Sequence, residues 1–367
     1  MSVGTASPAE SCDAAVFLGD GTVEVRSFAV PAPPPGGAVL RVEAVGLCGS
    51  DLSQLHGHHY VPGEVSPVVP GHEIVARVHA LAPDAHLGVA VGQRVAVDLV
   101  VRCGTCAACM GGSPLCERMR LYGYTFPLTE RSGLYGGYGE LMEVTAGSHL
   151  MGLTDAVPAE ELTVFEPLAN VVNWLSSAQV GPGTSVVVLG PGHMGLTCAA
   201  LALAWGAGPV IVTGTGRDAR RLEAARQLGC SATVDVEAED VAAVVRAHTA
   251  GAMADVVVDL TDADAAVQAT LELVRFGGTV VWAGLKHMRP VPVVSDLVPL
   301  RALTVIGASG STAQSMETAV DLLNAGRIPT RTLVGETFTL GEIDRALDLL
   351  ARADPGHDAL RVGLVHR

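Results

Sequence analysis

Positive charge is what this sequence is short of: 23 Lys and Arg stand against 38 Asp and Glu, a formal net charge of -15 over 367 residues. A nucleic-acid or anionic-membrane partner calls for a basic face, so neither is expected, and the acidity mainly favours solubility. The N-terminus lacks a basic segment followed by an apolar run, so no secretory signal is recognised and a cytoplasmic location is expected. A long linker, a low-complexity tract and an internal repeat are also missing. The stretch 195–212 carries no charge and is long enough to span a bilayer, but Gly206, Gly208 and Pro209 cut it into a helix and a strand.

What is there is apolar: 49% of residues are hydrophobic and the mean hydropathy is +0.39, which excludes a disordered chain. The length exceeds what one core usually serves, so two domains are expected. As far as about Glu160, short Val-rich bursts between Gly and Pro, such as AVLRVEAVGLCGSD (38–51) and PVVPGHEIVARVHA (67–80), predict an irregular β-rich domain. From Pro182 the texture becomes strand, glycine turn and helix in alternation. This predicts a doubly wound parallel sheet and an α/β fold. After Leu303 the pattern predicts that the chain leaves this sheet, with RVGLV (361–365) returning as a strand to the first domain.

Four of the eight cysteines crowd between Cys103 and Cys116, which points to metal rather than disulfides. Cys103, Cys106, Cys109 and Cys116 follow C-x2-C-x2-C-x6-C, and four thiolates on one lobe can close a tetrahedral shell around zinc. An iron–sulfur cluster and plain buried cysteine are the alternatives; the company of Gly104, Gly111 and Gly112 favours structural zinc.

Cys48 in GLCGSD, His72 and Glu73 in PGHEI, and Glu166 in FEPL are each weak signals alone. Together, one thiolate, one imidazole and one carboxylate with a fourth position open is what a catalytic zinc needs. The turn GPGHMG, with Gly190, Gly192, His193, Met194 and Gly195, follows the apolar run VVVL and opens a predicted helix. Its amides can therefore receive a pyrophosphate.

GLCGSD, PGHE, VGQRV, the four-cysteine lobe, GGYGE (136–140), EPL and GPGHMG, in this order, resemble the medium-chain, zinc-dependent alcohol and polyol dehydrogenase superfamily over nearly the whole length. The likeness leans to the sorbitol and threonine dehydrogenase branch, because Glu166 stands where polyol-type members carry an acidic ligand. It implies a chaperonin-10-like (GroES-like) catalytic domain from 1–166 and 304–367 around a Rossmann domain, 167–303. It implies a reversible hydride transfer between NAD(P) and an alcohol or polyol, with zinc polarising the hydroxyl. By the same resemblance Cys48, His72 and Glu166 hold the catalytic zinc. Glu73 either supports them or exchanges with water as a ligand, Ser50 relays the alcohol's proton, and Arg361 meets the pyrophosphate. A homodimer or homotetramer is the family habit.

Three departures stand out. Ser53 occupies the place of the usual relay histidine, with His56, His58 and His59 as possible substitutes, and Ala76 replaces a glycine after the zinc ligands. Gly214 stands where an acid usually reads the NAD ribose, and Thr215, Arg217, Arg220 or Arg221 can pair with a 2′-phosphate. NADP is thus modestly favoured over NAD, with Asp218 near enough to serve a ribose. Tyr122, Tyr124, Phe126 and Trp174 are candidates for the substrate wall. The rival readings are a zinc-free enoyl or quinone reductase of the same fold, against which the ligand set speaks, and a non-catalytic zinc and dinucleotide binder acting as a redox sensor.

Overall fold

The computed structural model describes residues 11–354 and 357–366; residues 1–10, where the missing secretory signal was read, lie outside them. The chain forms two compact units, Met1–Glu166 with Gly335–Arg367, and Pro167–Val334.

In the first unit, β1 (Ser11–Phe17) and β2 (Val23–Ala29) form an antiparallel ribbon. Next come β3 (Ala38–Leu47), β4 (Glu73–Leu81), β5 (Arg94–Val97), β6 (Leu141–Val144) and β7 (Leu150–Gly152). β3 reads AVLRVEAVGL and is buried along most of its length, as a Val-rich central strand should be. It pairs antiparallel with β4 on one side.

The second unit contributes β8 (Val186–Leu189), β9 (Val210–Gly214), β10 (Ala232–Asp235), β11 (Ala254–Asp259), β12 (Val274–Trp282) and β13 (Thr304–Gly307). These make a six-stranded sheet in the order β10-β9-β8-β11-β12-β13, every pair parallel. The order reverses between β8 and β11, which places the switch point of this Rossmann sheet just after the VVVL strand. The stretch 195–212 falls in the helix His193–Ala204 and in β9. Among the described residues no helix is long and apolar enough to cross a membrane.

The expected exit after Leu303 needs correction. β13 stays in the parallel sheet beside β12, and the second unit runs on to Val334. β13 is a four-residue edge strand, half-exposed rather than buried, so it lacks the apolar run that marks the inner strands. The chain then returns to the first unit as β14 (Glu336–Phe338) and β15 (Val362–Val365). They complete a seven-stranded sheet in which β14, β15, β3, β4, β5 and β7 lie in order and β6 also pairs with β3.

Tyr122 and Phe126 belong to the first unit's core. Their rings stack at 5.0 Å and Phe126 stacks on Tyr135 at 4.5 Å, while the Tyr122 hydroxyl lies 2.6 Å from Ser148 Oγ. Trp174, in the second unit, donates its indole N–H to the Ser309 carbonyl at 3.1 Å.

Lys286, the single lysine of the chain, ties the ends of β11 and β12 together. Its ammonium donates to Asp259 Oδ2 at 2.8 Å and to the Thr261 carbonyl at 2.6 Å, and Asp259 Oδ1 accepts the Thr261 amide at 3.0 Å. The side chains are only 10% and 1% exposed. Removing one partner strands a buried charge, so Lys286→Met is expected to destabilise the protein by about 3 kcal/mol. Urea unfolding of wild type and variant measures this, and an unchanged midpoint would remove the pair from the fold's energetics.

Candidate active site and metal centres

Sheet register assembles the first unit's site. Gly46 of β3 pairs with Glu73 of β4, and Leu47 pairs with Val362 of β15, so Cys48, the His72-Glu73 pair and Arg361 arrive at one edge from three distant stretches. Cys48 then caps the helix Gly49–Leu55. Its amide donates to Asp51 Oδ2 at 2.8 Å, which also accepts the Tyr138 hydroxyl at 2.9 Å. Glu166 lies in the first turn of the helix Phe165–Ser177.

One ligand atom each from His72, Glu73 and Glu166 lies within 4.8 Å of the others, and Cys48 Sγ lies within the same distance of the Glu73 carboxylate. The three ring and carboxylate residues are buried. Glu73 is paired with Arg361 through one oxygen, and Arg361 also donates to the Thr163 carbonyl at 2.9 Å. The other oxygen, Oε1, is buried without a hydrogen-bond partner. A carboxylate oxygen so placed, beside a thiol, an imidazole and a second carboxylate, is the donor set that suits a divalent cation of zinc's softness. Arg361, expected at a pyrophosphate, is engaged by Glu73 and a carbonyl of its own unit.

Asp51 is the polar residue that sequence reasoning missed here, and Tyr124, read as a candidate for the substrate wall, joins it beside His72. His72 Nδ1 lies 3.1 Å from the Tyr124 hydroxyl and 3.5 Å from Asp51 Oδ1, and the same hydroxyl lies 2.9 Å from Ser50 Oγ. Burial pushes the Tyr124 phenol well above the ordinary tyrosine range, so it keeps its proton. Asp51 had a legible signal, an acid three residues after a helix-capping position. Tyr124 was read from LYGYTF only as part of a substrate wall, and nothing local marked its hydrogen bonds to Ser50 and His72. Ser53 is half-buried, and His56, His58 and His59 are exposed.

The four cysteines of the lobe also converge. Cys103 and Cys109 sulfurs stand 4.0 Å apart and those of Cys106 and Cys116 3.9 Å apart. A tetrahedral shell with zinc–sulfur bonds of about 2.3 Å has sulfur–sulfur edges of about 3.8 Å, which these distances match. The turn supplies N–H···S contacts, from the Cys106 amide to Cys103 and from the Cys109 amide to Cys106, each at 3.4 Å. Hydrogen bonds from Thr105 first, then from Cys106, hold the Cys103 thiol down at about 5, whereas burial pushes Cys109 up to about 11. A divalent cation is what allows all four to ionise together.

In the second unit Gly190 opens the turn after β8 with φ +98°, a conformation glycine adopts without penalty. A Cβ at Gly195 would strike the Gly190 carbonyl oxygen, so this glycine lets the helix His193–Ala204 close on the strand. Gly192 caps that helix, and His193 and Met194 form its first turn. The N-terminus of the helix thus lies at the switch point, where dinucleotide binding places a pyrophosphate. Thr215 follows β9, but its amide and hydroxyl both donate to Asp218 Oδ2, at 3.0 and 2.8 Å. The Gly216 amide donates to Glu237 at 3.1 Å. Arg217 lies in the short turn Gly216–Asp218.

Comparison with known proteins agrees with this geometry. A family model described as the alcohol dehydrogenase GroES-like domain matches residues 34–155, and one described as zinc-binding dehydrogenase matches 194–325. A probable alcohol dehydrogenase of Mycobacterium tuberculosis is 40% identical over 341 residues, covering 89% of this chain and 90% of the relative. The chain belongs to the zinc-dependent medium-chain alcohol and polyol dehydrogenase superfamily. It is an NAD(P)-dependent, zinc-dependent oxidoreductase acting on alcohols or polyols. An erythritol/L-threitol dehydrogenase of Mycolicibacterium smegmatis is 30% identical over 366 residues, covering 97% of this chain and 98% of the relative. A zinc-binding dehydrogenase from Sinorhizobium meliloti, solved bound to NADP, is 27% identical with TM-score 0.86, covering 97% of this chain and 100% of its own.

For this dehydrogenase the four-cysteine lobe predicts a zinc ion with a structural role. Cys106→Ser is expected to lose about one zinc per chain and lower the melting temperature by several degrees, while dinucleotide binding persists. Elemental analysis with a thermal scan checks it; unchanged zinc and unchanged melting would sink the assignment.

Proposed function

We propose that this dehydrogenase oxidises a secondary hydroxyl of a polyol, reversibly, with Cys48, His72 and Glu166 holding a catalytic zinc. The observation that carries this is the convergence of His72, Glu73 and Glu166, with Cys48 alongside Glu73, together with a Glu73 Oε1 that is buried without a hydrogen-bond partner. Glu166 in place of a second thiolate makes the set harder, which suits a substrate that offers vicinal oxygens. A zinc ion held there would supply the Lewis acid that lowers the hydroxyl's pKa, and a bound nicotinamide would be the hydride acceptor. Ser50 relays the alcohol's proton, taking it on Oγ as its own proton passes outward, Arg361 holds Glu73 in place, and Glu73 Oε1 stands ready beside the ligands.

The second zinc belongs to Cys103, Cys106, Cys109 and Cys116. Gly190, Gly192, His193, Met194 and Gly195 receive the pyrophosphate. NADP is the favoured cofactor: no acid stands at Gly214, the Asp218 carboxylate is spent on Thr215, and a Cβ at Gly192 would lie 4.0 Å from Arg221 Nη1. The Glu237 carboxylate on the Gly216 amide favours NAD as the second reading. A homodimer or homotetramer in the cytoplasm completes the proposal. The half-exposed edge strand β13, with Leu300 74% exposed just before it, supports self-association.

Metal content measured on protein purified without chelator is expected near two zinc ions per chain, and NADPH is expected to bind more tightly than NADH in fluorescence titrations. Gly214→Asp should shift that preference towards NADH; equal preference in both proteins would remove the position from cofactor choice. Cys48→Ser should abolish oxidation of sorbitol, erythritol and 2,3-butanediol alike while dinucleotide binding stays intact, and full activity in that variant would overturn the ligand assignment.

A further inference from the structure

The turn that follows β9 already holds an anion, and that anion is a side chain of the protein itself. The first amide of the turn, on Gly216, donates to Glu237 Oε2 at 3.1 Å. Glu237 comes from the loop after β10. Parallel pairing sets Gly214 of β9 beside Asp235 of β10, so the two loops leave the same edge of the sheet together. A Cβ built on Gly216 would lie 3.5 Å from both Asp235 Oδ2 and Glu237 Oε2.

The position of Glu237 is fixed by a turn that caps itself. The Glu237 amide donates to Asp235 Oδ1 at 3.0 Å and the Asp235 amide to Glu239 Oε1 at 3.1 Å. The Ala238 and Glu239 amides both donate to the Asp235 carbonyl, at 3.1 and 2.9 Å. None of these bonds uses the Glu237 carboxylate, which is exposed and serves only the Gly216 amide among the printed contacts of that loop. Asp218, the acid inside the β9 turn, gives Oδ2 to the Thr215 amide and hydroxyl instead.

Carboxylate and phosphate oxygens compete for the same donor, because a backbone amide has one proton to give. In a Rossmann unit the loop after the second strand is where the adenosine ribose presents its 2′ group. We propose that Glu237 is a specificity-determining residue for the dinucleotide: its carboxylate occupies the amide that would receive a 2′-phosphate, and so acts as a brake on NADP and not on NAD. The inference rests on the reading of this turn as the seat of the 2′ group. A 2′-phosphate brings up to about two negative charges, and it gains the Gly216 amide only by expelling Glu237. A 2′-hydroxyl is neutral, and Glu237 keeps its amide beside it. Arg217 in the turn, with Arg220 and Arg221 on the helix Ala219–Leu228, works in the opposite sense by attracting the phosphate. Cofactor preference is then a balance between these arginines and one acid about twenty residues farther on.

The test uses the zinc-loaded full chain as wild type, Glu237→Ala and Glu239→Gln. The last is a charge control: it removes one negative charge from the same turn, and its amide oxygen still accepts from Asp235. Titration calorimetry with NADPH, NADH, adenosine 2′,5′-bisphosphate and AMP separates the 2′-phosphate from the rest of the cofactor. Glu237→Ala should bind NADPH and adenosine 2′,5′-bisphosphate about tenfold tighter, with NADH and AMP within about twofold of wild type. Glu239→Gln should leave all four within about twofold. Wild-type affinity for adenosine 2′,5′-bisphosphate in Glu237→Ala overturns the proposal. So does an equal gain for all four ligands, or the same gain in Glu239→Gln, since either reduces Glu237 to one charge in a general field. If wild type binds NADH more tightly than NADPH, the reading of NADP as the favoured cofactor fails instead, and the adenosine 2′,5′-bisphosphate ratio between variant and wild type still decides the role of Glu237.

Discussion

The pairing of β3 with β4 on one side and β15 on the other is the constraint on which the catalytic unit depends. It joins stretches from the beginning, the first quarter and the end of the chain, and a slip of one residue would turn Glu73 or Arg361 to the opposite face. The buried valines and leucines of β3 make such a slip costly, since each would exchange core for solvent. The apolar pattern of one strand therefore specifies the geometry of a polar site.

Charge balance is the second principle at work. A carboxylate with no exposed surface cannot stay ionised alone, and Arg361 supplies Glu73 with its counter-charge. On the proposed assignment, the Cys48 thiolate and the Glu166 carboxylate then bring two negative charges, matching a divalent ion, so the cluster as a whole is neutral. The same economy appears in the Rossmann unit, where Lys286 neutralises Asp259 at the ends of β11 and β12. Leu260 and Thr261, which this pair anchors, sit against the turn at Gly190, where a Cβ would meet Thr261 Cγ2 at 2.8 Å.

Much of this was legible in the residues. The four-cysteine spacing, the glycine turn after VVVL and the order of the short motifs pointed to the two units and their chemistry. Side-chain partners were less legible, because they are set by tertiary register and not by local pattern. Asp51 turned out to orient both Cys48 and His72, and Tyr124 to join Ser50 with His72. Arg361 was read as a pyrophosphate contact, but nothing local to RVGLV announces that Glu73 lies across the sheet. The exit from the second unit was placed too early because a short, half-exposed edge strand gives no periodic signal. Thr215, read as a phosphate partner, is the N-cap of a capping box with Asp218.

With its one ε-amine locked in the Asp259 ion pair, this enzyme offers lysine-directed modification a single, sequestered address. Acetylation or reductive methylation would have to break that ion pair before it could act. The cationic side of the outer surface is left to arginine and histidine, and guanidinium groups hold their protons to a pH of about 12 or beyond. Raising the pH therefore does not strip positive charge from the surface by way of amines, and the arginine ion pairs that knit the outer loops persist far into the alkaline range.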